Sequence, residues 1–96
     1  MEINRYSLET LEKLQTEKLG YLYMDNFTLA KKKRDDISKS QLEIIADILS
    51  KRCMERTATI YREILLDLKK SIAKEQYERS SLLRDMKNHF YQHVLG

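Results

Sequence analysis

The chain has 96 residues, enough for one domain at most, and its mix of 42 % apolar and 34 % charged residues is foldable but more charged than an average globular chain. It has no proline and two glycines, Gly20 and Gly96, too few turn formers for a sandwich or barrel, which leaves an all-α fold. Eighteen cations against fifteen anions give a net charge of +3, carried by residues 37–74, far short of the dense cation stripe of a dedicated duplex binder.

In chain order, Ser7 is a suitable N-cap, and Leu8, Leu11, Leu14, Leu19 and Leu22 recur at helical spacing, predicting a first helix over 7–22. Gly20 marks its stop, with a turn between Leu19 and Asn26. Asp25-Asn26 offers the next cap, for a second helix from Phe27 to about Asp36 with Phe27 as its buried anchor. Asp35 and Asp36 at its C-terminal end oppose the helix dipole and argue for a stop there.

Ser40-Gln41-Leu42-Glu43 reads as a capping box. From there Leu42, Ile45, Leu49, Cys53, Ile60, Ile64, Leu68 and Ile72 keep a helical period with no breaker, predicting one helix of about thirty residues, roughly 45 Å long. Ile44, Ile48, Leu65 and Leu66 widen the stripe, so more than one partner face is expected. Ser80 or Ser81 would cap a last helix over about 81–95 carrying Leu82, Leu83, Met86, Phe90 and Val94. The expected architecture is a single helical domain over 1–96, a small bundle of about four helices built around one long central helix.

Cys53 is the sole cysteine, so an internal disulfide and multi-cysteine zinc sites are excluded; on the apolar stripe it reads as a buried structural thiol. Asp85, His89 and His93 fall at four-residue intervals and would line one helical face. Without a fourth partner or a His-Glu-x-x-His pattern this spacing is a weak motif, and neither metal nor cofactor is expected. Two glycines make no phosphate loop, and no Ser/His/Asp order stands out, so the chain is read as non-enzymatic. No apolar stretch approaches the ~20 residues that span a bilayer, and charges of both signs in the first fifteen residues argue against a signal peptide.

Two sets of residues are candidates for recognition. Phe27, Leu49, Arg52, Arg56, Ile60 and Ile64 form a partner-interface set, because an over-long amphipathic helix wants another protein chain, in a homo- or hetero-oligomer. Lys31, Lys32, Lys33 and Arg34 form a nucleic-acid set for the alternative reading, a small basic helical DNA binder. A four-residue run wraps most of the way round a helix, and Asp35-Asp36 halve its charge, so a solvated helix end is the plainer reading and any DNA contact is weak.

The order of features resembles the helical domain of archaeal GINS subunits over nearly the whole chain. The residues that carry it are the Phe-led Asn26-Phe27, the run Leu42-Glu43-Ile44-Ile45-Ala46-Asp47-Ile48-Leu49 with Arg52 and Arg56 ahead of Ile60, and the final Glu78-Arg79-Ser80-Ser81-Leu82-Leu83-Arg84-Asp85-Met86. The resemblance implies a non-catalytic scaffold in DNA replication that assembles through its long helices and links replicative helicase components, in the cytoplasm and associated with the nucleoid.

Overall fold

The computed structural model describes residues 6–96 and is all-helical, with no strand among the described residues. Residues 1–5 of the expected domain lie outside them. The helices are α1 (Leu8–Lys13), α2 (Thr16–Lys33), α3 (Asp36–Ser50), α4 (Met54–Ala73) and α5 (Tyr77–Phe90), and a π-helical turn, Tyr91–Leu95, ends the chain. α2 packs on α3 and α4 on α5; the π turn rests on α3, α4 and α5 and joins the two pairs. The bundle has a radius of gyration of 13.0 Å, near the ~13 Å of a folded chain of about 100 residues. No helix among the described residues is long and apolar enough to cross a membrane.

Ser7 caps α1 as expected, its side-chain oxygen accepting from the Thr10 amide at 3.3 Å. The expected first helix nevertheless breaks at Leu14-Gln15, where both residues are extended. α2 then runs straight through the expected turn between Leu19 and Asn26. Gly20 is a packing position rather than a stop: a Cβ there would lie 2.8 Å from Ile60 Cδ1. The glycine lets α2 close on α4.

The stop after the cation run is real, and its cause is visible. Arg34 ends α2 in the left-handed region, at φ 49°. Asp35 then caps α3, accepting from the Ile37 amide at 3.2 Å and from Ser38 Oγ at 3.1 Å. Asp36 sits in the first turn of α3, where the helix dipole favours it. Helix two is thus much longer than predicted, and the aspartates open the next helix. Ser40 lies inside α3 and is no cap.

The single central helix predicted over 42–72 is two helices. The Lys51 and Arg52 amides donate to the carbonyls of Ile48 and Leu49 in tightened turns, and Cys53 becomes the N-cap of α4. Cys53 is accordingly exposed, not buried. No breaker residue marks this point. What holds the break is tertiary: the Arg52 guanidinium donates to the carbonyls of Leu14 at 3.0 Å and Glu12 at 2.8 Å. It thereby fixes the α3–α4 joint to the α1–α2 joint.

α4 ends on Glu75, in the left-handed region at φ 57°. The Glu75 amide donates to the Ile72 carbonyl at 3.0 Å and the Gln76 amide to the Ser71 carbonyl at 2.8 Å, the two bonds of a Schellman ending. α5 therefore starts at Tyr77, earlier than expected. Ser80 is not a cap but a buried seam residue, with Oγ 2.8 Å from Ser71 Oγ. Ser71 donates onward to the Leu68 carbonyl at 2.8 Å, so Ser80 is the donor between the two serines.

One core gathers Leu11, Leu19, Tyr23 and Phe27 with Leu42, Ile45 and Leu49, and with Ile60, Ile64, Leu83, Met86, Phe90 and Val94. Each helix contributes one apolar face, the burial that makes short helices stable in water.

Candidate functional site

The sequence places Tyr23 and Phe27 one turn apart on α2, so both rings enter the same seam. α5 brings His89 and Phe90 against them. The Tyr23 and Phe90 rings meet edge to face with centroids 5.1 Å apart, and Tyr23 and Phe27 stack at 6.2 Å. His89 lies edge-on to Phe27 at 5.5 Å and meets the tilted His93 ring at 4.2 Å.

Tyr23 is fully buried, and its hydroxyl lies 2.6 Å from His89 Nδ1. Burial pushes the Tyr23 phenol far above its ordinary value, so the phenol keeps its proton. Burial also lowers the His89 pKa, with His93 and Lys31 acting in the same direction and Glu43 opposing them. A neutral His89 accepting from Tyr23 Oη at Nδ1 carries its own proton on Nε2.

This pair backs a cleft of about 430 Å³ between α2, α3 and α5. Phe27, Ala30 and Leu42 form its apolar lining, and His89 contributes the imidazole. Lys31, Arg34 and Lys39 alternate on its rim with Asp35, Asp36 and Glu43, so the charges of the lining cancel while His89 is neutral.

The nucleic-acid set divides at this cleft. Lys31 and Arg34 line it. Lys31 Nζ lies 5.8 Å over the Phe27 ring and 4.0 Å from Asp85 Oδ2. Lys32 and Lys33 are exposed on α2 outside that lining.

The partner-interface set is mostly internal. Phe27, Leu49, Ile60 and Ile64 lie in the chain's own core. Arg52 is half-buried in its staple, and Arg56 alone stands on the surface, lining a shallow furrow between α2 and α4 with Gly20, Tyr21 and Met24. Asp85, His89 and His93 do not converge on a point: Asp85 faces Lys31, and His89 is taken by Tyr23. No three potential metal ligands are grouped among the described residues.

Sequence reasoning left Tyr23, Lys39 and Glu43 out of any site. Tyr23 and His89 are 66 positions apart, and nothing short of the α2–α5 packing joins them. Compared with known proteins, the chain matches no family, no curated relative and no solved structure.

Proposed function

We propose that the chain is a non-catalytic helical interaction subunit whose contact surface is the outward face of α3. The observation that carries this reading is the outward placement of Ile37, Ser40 and Ile44 on α3, at helical spacing i, i+3, i+7. Ile37 and Ile44 are each 39 % exposed and, with Tyr6, line a furrow of about 380 Å³. Leu66 adds a further exposed apolar side chain on α4. The contact surface thus moves from the buried Leu49, Ile60 and Ile64 to the side chains that α3 leaves outside.

Size-exclusion chromatography with light scattering tests this reading. A species heavier than the 11.5 kDa chain is expected at tens of micromolar, returning to monomer in Ile44→Glu with an unchanged urea midpoint. A strict monomer in the parent chain argues against it.

The most specific form of the reading is a scaffold like the GINS helical domain, joined to replicative helicase components. Its support is the sequence order around Asn26-Phe27 and Glu78–Met86; the separation of α3 from α4 removes the long helix from the likeness. A second reading, weak DNA binding, draws on Lys32, Lys33 and Arg34, none of which has a carboxylate within 4.0 Å among the described residues. A gel shift that weakens steeply with salt would favour it.

A further inference from the structure

We infer that Tyr23 and His89 form an acid-operated latch, in which protonation of His89 breaks its bond with Tyr23 and turns the imidazolium toward Glu43 in the α2–α3–α5 cleft. The inference is independent of the interaction-subunit reading and concerns a different face of the molecule.

The structure holds the closed state. The Tyr23 hydroxyl is fully buried, and its one hydrogen-bond partner among the described residues is His89 Nδ1 at 2.6 Å. That bond needs a free lone pair on Nδ1. In the imidazolium both ring nitrogens carry hydrogen. Tyr23 Oη then has to accept from Nδ1, and its own hydrogen finds no other acceptor among the described residues. A buried donor without a partner is costly, so the charged ring does not keep this position.

The surroundings supply the second state. From the π turn, the His93 ring lies tilted against His89 at 4.2 Å, and from α2 Lys31 borders the same cleft; both act against a positive ring. From α3, Glu43 lines the cleft and acts in favour of the charged form, while Lys39 lies one turn before it and Asp36 on the same rim. Asp85 on α5 is engaged by Lys31 at 4.0 Å. α4 contributes Tyr61, which packs on Phe90. His89 is half-buried and lines the cleft, so its ring has open space to turn into. Each state has its own partner, Tyr23 for the neutral ring and Glu43 for the charged one, which is what a two-state switch requires. Acid also changes the net charge of the cleft lining from zero to positive.

The test is an NMR titration of the intact chain from pH 7.5 to 5, following the His89 ring protons, the Tyr23 ring protons and amide exchange along α5. The Tyr23 signals are expected to titrate with His89, with at least a tenfold rise in Tyr23 hydroxyl exchange and the Leu83 and Met86 amides still protected. In His89→Gln the Tyr23 signals lose this pH dependence. In Glu43→Gln the His89 midpoint falls and nuclear Overhauser contacts between His89 and α3 do not appear at pH 5. His93→Gln, outside the bond itself, keeps the coupled titration. Tyr23 signals that stay constant while His89 titrates, or that move identically in His89→Gln, overturn the latch. So does loss of protection throughout α5, which would mean global unfolding.

Discussion

Arg52 Nη1 donates to the carbonyl of Leu14 at 3.0 Å, and Nη2 donates to that of Glu12 at 2.8 Å. One side chain therefore serves two places where the backbone leaves its helix. The last carbonyls of α1 lack partners within their own helix, and a planar guanidinium reaches two of them at once. Arg52→Ala should cost about 2 kcal/mol, the usual loss for hydrogen bonds to a charged group. Arg52→Lys should recover less than half, because an ammonium cannot span both carbonyls. Urea midpoints of the three proteins decide the matter; an Arg52→Lys chain as stable as the parent would reduce the staple to a simple charge effect.

Stability should fall in mild acid, with His89 as a cause. Its pKa is lowered in the folded chain by burial, by His93 and by Lys31. The unfolded chain, with an ordinary histidine near about 6.5, therefore binds the proton first. The contribution is fullest above that value, declines as pH drops toward the folded pKa, and levels off below it. Urea unfolding at pH 7.5 and pH 5 should show a lower midpoint at pH 5, and His89→Gln should narrow the gap. An identical gap in the variant would assign the acid sensitivity elsewhere.

The helical class and the apolar faces are legible in the sequence because they depend on period alone. The joints are not, because no glycine or proline makes them. Arg34 and Glu75 hold left-handed positions normally taken by glycine. Ser40-Gln41-Leu42-Glu43 has the letters of a capping box, yet Asp35 starts the helix earlier and turns Ser40 into an interior residue. The break at Cys53 rests on Arg52 reaching residues about forty positions upstream. The site was half legible: Lys31 and Arg34 stand out as charges, whereas the Tyr23–His89 pair exists only once α2 meets α5.

Glu75→Gly should stabilise the chain. A left-handed conformation costs an L-residue about 1–2 kcal/mol, and at φ 57° Glu75 bears that cost while its side chain is exposed. Glycine removes the strain but loses more backbone freedom on folding, by about 0.5–1 kcal/mol. The balance predicts a gain of about 0.5–1 kcal/mol, with Glu75→Ala giving none. Thermal melts of both variants make the comparison, and equal melting temperatures would remove backbone strain as the cause.

Gly20→Ala sets two effects against each other. Alanine is favoured over glycine inside a helix by about 1 kcal/mol. Its Cβ, however, would lie 2.8 Å from both Cδ1 and Cγ1 of Ile60 and 3.2 Å from Cγ2. Cδ1 is a flexible end that can swing about χ2, but Cγ1 and Cγ2 branch from the Ile60 Cβ and move only through χ1, which is stiff for a β-branched residue in a helix. Overpacking of this kind costs about 1–3 kcal/mol, so the net effect should be a loss of about 1 kcal/mol. Ile60→Val removes Cδ1; alone it should cost about 1 kcal/mol, but together with Gly20→Ala it should cost less than the two single changes summed. A double-mutant cycle on urea midpoints measures that coupling. A Gly20→Ala chain more stable than the parent would show that α2 and α4 separate freely, and that the close approach at Gly20 is incidental to the fold.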